Sequence, residues 1–355
     1  MSDADAPRDI DDYERAARQI LPRHVYDHIA DGAYDEVVLR RNRTAFERLA
    51  LRPRYMRDVR VRDLSTTVLN DPISMPVFAS SAGNKAVVHP DGDVEVGRAA
   101  AAARTLMVVP ARTPEAIAAV GAAGSVPLWL QVTHTSRDYT EELVRAAERA
   151  GYRAICPVVD VPVVHLMERD MALVRHGLAT APGQTQGKEP TTVFQFTLDD
   201  LEWLRGITRL PIVLKGITHP EDARLAVEGG AAGVFVSNHG ARWNDATMSS
   251  LECLEEVAKA VGDRAEVYLD SGVRRGSDVL KALALGARAV GVGRALFWGL
   301  AAGGARGVEE IFEVFRRELD VAVAYTGLRS VRDAAHDALD IPADWGSRGA
   351  RAART

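Results

Sequence analysis

The residues with which chemistry can begin are Lys215 and His239. Each stands at the end of a short apolar run: Pro211–Leu214 leads into Lys215, and Gly233–Val236 leads into Ser237-Asn238-His239-Gly240. A lysine offers a fixed cation and a histidine offers a proton acceptor near neutral pH. Lys215 taken alone reads equally well as a surface residue on a loop. The string Ser-Asn-His-Gly-Ala-Arg weakens that reading for His239 and Arg242. A second constellation lies further on, in Asp270-Ser271-Gly272-Val273-Arg274 and Gly291-Val292-Gly293-Arg294. Glycines let backbone N–H groups approach an anion, and arginines add bidentate charge. One Gly-x-x-Arg means little, but two at the ends of consecutive apolar runs point to a phosphate grip.

These residues need strands to hold them. Pro220 to Glu228 has a helical pattern between two apolar runs, which is the signature of a βαβ unit. Both strand ends then open on one side, so Lys215 and His239 face one pocket. The same rhythm fills most of the chain. Candidate strands are Pro76–Ser80, Leu106–Val109, Pro127–Thr133, Ala154–Val159, Ile212–Lys215, Gly233–Ser237, Val267–Asp270 and Ala289–Val292. Alanine-rich amphipathic stretches separate most of them: Val94–Ala103, Pro114–Ala122, Glu141–Ala150, Asp222–Gly229, Met248–Val261 and Ser277–Leu285. Eight strands with a helix after the last is the count of an α/β fold of the TIM (β/α)8 barrel type. The alternative, an open doubly wound sheet, wants a Gly-rich dinucleotide turn after an early strand, and none is there.

The division expected is a helical segment at 1–70 covering the barrel, the barrel at 71–335, and a C-terminal tail at 336–355. Residues 1–10 are expected to be disordered, followed by short helices at Asp11–Ile20, Val25–Asp31 and Glu36–Leu49. Leu51–Val68 suits the bottom of the barrel, and the basic tail from Asp340 reads as loose. About fifty residues separate Asp160 from Pro211, with a polar centre at Thr180–Thr192. A connection of that length is usually functional or disordered.

Composition narrows the classes. A net charge of -5 gives no basic face for nucleic acid. Two cysteines, Cys156 and Cys253, provide neither a disulfide framework nor a metal spacing; no metal site is expected. The first residues lack an apolar signal core, and no run reaches membrane-spanning length. A cytoplasmic enzyme acting on a small molecule is the expectation.

The string SNHGAR, with LKGI before it and DSGVRRGSDVLKALALGARAVGVGRALFWGL after it, resembles the FMN-dependent 2-hydroxy-acid oxidases and dehydrogenases, the glycolate oxidase and lactate oxidase relatives. The resemblance runs from Leu21 to about Asp333. It implies FMN as cofactor. It implies that Asp270 meets the ribityl hydroxyls, while Ser271, Gly272, Arg274, Gly293 and Arg294 hold the phosphate. Lys215 belongs at the flavin N1–O2 edge. Gln131 and Ser237 belong among the ring contacts, and Ser81-Ala82-Gly83 passes the ring face near N5. His239 matches the catalytic base, Asp160 the aspartate paired with it, and Arg242 one of two arginines that grip the substrate carboxylate. The resemblance also implies a lid over residues 161–197, with a helix at Leu198–Leu204 after it, and an assembly of copies, commonly a tetramer.

The departures are as informative. Ala111 and Val158 stand where the family usually has hydroxyl residues. His28 replaces a tyrosine, Thr133 replaces another, Met167 stands at the second arginine, and Arg112 replaces an aromatic. Losing one charged hydrogen-bond partner costs roughly 1.5–3 kcal/mol, so glycolate or lactate should bind poorly. The retained base and flavin residues imply oxidation of a CH–OH or CH–NH group in a larger, biosynthetic substrate, read by His28, Thr133, His134 and Arg112. His28 and His134 read equally as ordinary helix or loop residues. Two alternatives stay open. One is an ordinary 2-hydroxy-acid oxidase in which Arg169 or Arg112 restores the clamp. The other is a barrel that binds without catalysing.

Overall fold

In the computed structural model, residues 7–110, 112–133, 136–162 and 195–345 are described. Among the described residues twelve strands lie in chain order. The eight that form the central sheet are β4 (Val77–Ala79), β5 (Met107–Val109), β6 (Leu128–Val132), β7 (Ala154–Pro157), β8 (Val213–Lys215), β9 (Gly233–Val236), β10 (Glu266–Leu269) and β11 (Ala289–Val292). All pair in parallel, in chain order from β4 round to β11, and β11 pairs β4. Parallel bridges Ile155–Ile212 and Val158–Lys215 join β7 to β8 and complete the circle. The fold is a TIM barrel.

Why these segments become strands is visible in their burial. Both faces of each strand are covered, so near-continuous Val, Ile, Leu and Ala runs replace alternation. Phe78, Val108, Trp129, Cys156, Val213, Phe235, Tyr268 and Ala289 point inward. Val77, Ala79, Met107, Val109, Leu214, Val234, Leu269 and Val290 pack outward against the helices. Four inward aromatics meet edge to face, with Trp129 and Tyr268 centroids 5.0 Å apart and Phe78 and Phe235 5.6 Å apart. The Cys156 thiol sits among them, its pKa pushed up to about 12 by burial.

The lower end is closed by a hairpin that sequence patterning did not resolve. Strands β2 (Thr66–Val68) and β3 (Asp71–Ile73) pair antiparallel, with Val68 and Ile73 in the inner cluster. The Leu69 amide donates to Glu266 at the start of β10.

The first three helices are α1 (Ile10–Ile20), α2 (Arg23–Ala30) and α3 (Val37–Arg48). Asp9 caps α1 by accepting from the Asp12 amide, 2.9 Å, so order begins earlier than expected. Helices α2 and α3 lie at the open end of the barrel, beside the loops after β9 and β10. The last strands of the chain also differ from expectation. Leu339–Asp340 pairs with Ala50–Leu51, and the Trp345 ring lies under the Arg48 guanidinium. The tail is therefore anchored as far as Trp345. A long final helix, Arg294–Tyr325, is broken by Gly303 and Gly304. The helix expected at Leu198–Leu204 spans Leu198–Ile207, started by a Thr197–Asp200 capping box. The expected lid at 161–197 lies almost wholly outside the described residues, as do Ala111, His134, Met167 and Arg169.

Candidate active site

Lys215 ends β8 and is 1% exposed. Its ammonium donates to Ser237 Oγ at 2.8 Å and lies 3.1 Å from Asp270 Oδ2. Burial works against the charge, but the Asp270 and Asp160 carboxylates more than offset it and raise the lysine pKa. Burial likewise opposes ionisation of Asp270, and Lys215, Ser237 and Ser80 overcome it, so the carboxyl pKa falls. Ser80 Oγ donates to Asp270 Oδ2 at 2.6 Å and Ser271 Oγ to Oδ1 at 2.9 Å. A buried ion pair needs further partners to persist; here Asp270 accepts at both oxygens, and Lys215 has Ser237 besides Asp270.

His239 follows β9. Its Nδ1 lies 3.2 Å from Asp160 Oδ1, which leaves Nε2 as the ring nitrogen able to take a proton. The Trp243 ring packs edge-on against the imidazole, with centroids 6.0 Å apart. Asp160 reaches this position because the chain after β8 is glycine. A Cβ on Gly216 would stand 2.5 Å from Asp160 Cβ, and its φ of +107° is a glycine conformation.

The segment carrying His239 is strained. His239, Gly240 and Ala241 have φ of +56°, +64° and +61°. The left-handed region costs a non-glycine residue about 1–2 kcal/mol. The surroundings hold each of the three N–H groups. The His239 amide donates to Ser237 Oγ, that of Gly240 to Ser271 Oγ at 3.0 Å, and that of Ala241 to the Asn238 carbonyl at 2.9 Å. Beneath it Asn42 and Asn238 exchange two side-chain bonds, 2.9 and 2.8 Å.

The expected phosphate end is a cluster of buried cations. Arg274 and Arg294 both have lowered pKa values, the latter about 9, through burial first; Arg43 then repels Arg274, and Arg274 and Arg242 repel Arg294. Around Gly293 a Cβ would meet no atom within 4 Å, whereas at Gly272 it would strike the Asn42 carbonyl at 2.1 Å. Arg294 donates to the carbonyls of Ile29, Asp31 and Gly240. The Arg274 guanidinium donates only to the carbonyl of its neighbour Val273 among the described residues, while its backbone amide donates to Asp278.

Across the barrel, Gln131 Oε1 and Ser81 Oγ are buried without a partner. Ala82 accepts from the buried Lys85 ammonium at 2.5 Å, and Asp93 pairs with that ammonium at 2.8 Å. A planar polar ring above a barrel, with a phosphate on the arginine side, suits this donor set: two orphaned oxygens, one buried cation and repelling guanidiniums.

The remaining predicted residues are less concentrated. The Arg242 guanidinium donates to the carbonyls of His28 and Asp31. His28 thus meets Arg242 through its backbone. Thr133 and Arg112 are exposed at the rim. Sequence reading missed Ser80, Asn42, Asn238, Lys85 and Trp243. Ser80 carried a signal, standing just before Ser81 at a strand end.

A barrel with this site is a flavin-binding oxidoreductase barrel. A family model described as FMN-dependent dehydrogenase matches residues 17–341. The chain is 39% identical to an L-lactate oxidase of Nostoc sp., over 94% of this chain and 98% of that protein. It is 38% identical to a glycolate oxidase of Spinacia oleracea, over 97% and 98%. A crystal structure of mandelate oxidase with a difluorinated hydroxy acid matches with TM-score 0.85 at 37% identity, covering 94% of this chain and 98% of that one. The chain belongs to the FMN-dependent dehydrogenase family. It is an FMN-dependent oxidoreductase. Among the described residues no helix is long and apolar enough to cross a membrane.

Proposed function

We propose that this protein oxidises a CH–OH group in a 2-hydroxy-acid-like substrate larger than lactate or glycolate. FMN supplies the two-electron acceptor when bound. His239 takes the substrate proton at Nε2, and Asp160 holds the opposite nitrogen and stabilises the imidazolium. Lys215 and Gln131 would hold the ring, and Arg274, Arg294 and the glycine loops the phosphate. Negative charge gathering near Lys215 is stabilised by a cation whose position is already fixed.

The observation that carries the larger substrate is the engagement of Arg242. Its Nη1 is held by the backbone carbonyls of His28 and Asp31, which turns the guanidinium toward α2, and Thr133 supplies no charge. A small hydroxy acid depends on a fork of such donors. The second reading, an ordinary 2-hydroxy-acid oxidase with a rebuilt clamp, is favoured by relatives bearing the names lactate oxidase and glycolate oxidase.

One experiment separates them. FMN-loaded protein is mixed anaerobically with lactate, glycolate and mandelate, and flavin bleaching is followed. Slow bleaching by the two small acids supports the first reading; fast bleaching by them supports the second. His239→Gln should keep FMN and slow reduction by roughly 10²–10⁴-fold, the usual worth of a general base. Unchanged reduction would remove His239 from the mechanism. We also propose a homo-oligomer in the cytoplasm, which light scattering and fractionation test.

A further inference from the structure

We propose that the substrate carries a carboxylate remote from the oxidised carbon, and that Arg112 reads it. This inference rests on the reading of His239 as the base. Arg112 follows β5, which stands four strands from β9 in an eight-stranded ring. Arg112 and His239 therefore leave the barrel on opposite sides of its mouth, and a molecule seated against His239 extends toward Arg112.

The guanidinium is aimed across the rim rather than back into the protein. Its Nη2 lies 3.8 Å from where a Cβ on Gly83 would stand, over the segment that follows β4. Its base is fixed. The Tyr139 hydroxyl donates to the Arg112 carbonyl at 2.5 Å, and Thr113 caps the next helix by accepting from the Ala116 amide. Among the described residues nothing bonds or pairs with the guanidinium itself. The acid with the main electrostatic influence on it is Asp93, whose carboxylate is already taken by Lys85.

The contrast with Arg242 gives the inference its direction. Arg242 stands beside His239 and gives its Nη1 to the carbonyls of His28 and Asp31. Arg112 stands opposite, its guanidinium without a partner among the described residues. A guanidinium fork matches a carboxylate in two parallel bonds. The unused cation thus selects an anion at the far end of the substrate.

The test compares two acids of equal length on the FMN-loaded enzyme: 2-hydroxyglutarate, with a remote carboxylate, and 2-hydroxypentanoate, without one. Apparent dissociation constants come from the concentration dependence of anaerobic flavin reduction. The dicarboxylate should bind about tenfold tighter or more. Arg112→Leu should bring the ratio close to one, and Arg112→Lys should restore part of it. Equal affinities in the native enzyme, or a preference that survives Arg112→Leu, would overturn the proposal. Failure of the base assignment reads differently. Glutarate and pentanoate titrated into His239→Gln holoenzyme, followed by flavin absorbance, report the Arg112 preference without turnover.

Discussion

The two halves of the barrel mouth are built on different plans. On the side of β8 to β10 the polar groups around Lys215 bond one another. Lys215, Asp270, Ser80, Ser237 and Ser271 form one connected set of bonds, and α2 and α3 clamp the loops above them. On the side of β5 and β6, Gln131 Oε1 and Ser81 Oγ are buried without partners, and Arg112 stands exposed with its charge unmatched. The first set is tied together by the protein's own bonds. The second is left for ligands to finish, and it is where the chain departs from the family pattern.

Four changes would break or sharpen that contrast. The largest effect is expected for Lys215→Met, which leaves Asp270 buried without its cation. Breaking a buried pair in this way costs about 3–5 kcal/mol, visible as a lowered midpoint in denaturant. A loss under 1 kcal/mol would show the two sides to be less different than described. Arg274→Met should come next. It removes a guanidinium that bonds only its neighbour, so FMN affinity should fall roughly 10–100-fold while the apoprotein midpoint barely moves. Titration of apoprotein with FMN measures the first, and thermal melting the second.

Asn42→Ala acts on the clamp. It deprives Asn238 of two bonds, at roughly 1–3 kcal/mol, and should slow flavin reduction more than it weakens FMN binding. An equal effect on both would place Asn42 in general packing instead. The smallest effect concerns pH. Asp270 is depressed below 3.8, so its contribution to stability is present above that value and lost as pH falls through the folded pKa. Lys215 is raised above 10.5, so its contribution is present below that value and lost as pH rises through the folded pKa. The pair's contribution should therefore be flat between those limits, and a marked change in the Lys215→Met stability deficit between pH 5 and pH 9 would contradict it.

Much of this was legible in the chain. The eight strands follow from apolar runs whose ends carry polar residues, and the structure keeps their bounds to within two residues. Lys215, His239, Asp160 and the two glycine–arginine loops announce themselves by position at strand ends. The hairpin at Thr66–Ile73 was hidden because Pro72 and Asn70 break its pattern. Asn42 was hidden for a different reason: its partner lies 196 residues away, and no local window connects them. The turn of Arg242 toward α2 was also out of reach, because it depends on where a helix ends in space. Trp243 was overlooked because one aromatic beside a histidine carries no periodic signal.

The reciprocal amide bond between Asn42 and Asn238 has a consequence for the order of assembly. Helix α3 belongs to the earliest translated part of the chain, and its partners on β9 and β10 belong to the late part. Pairings of high sequence separation form slowly, since loop-closure entropy must be overcome first. Pulse-labelling hydrogen exchange during refolding should find the Asn238–Ala241 amides protected after those of β4 to β6; the reverse order would refute this. The barrel can thus be nearly complete while its catalytic loop is still unformed, and competence arrives when one of the chain's first helices meets a turn from its last third.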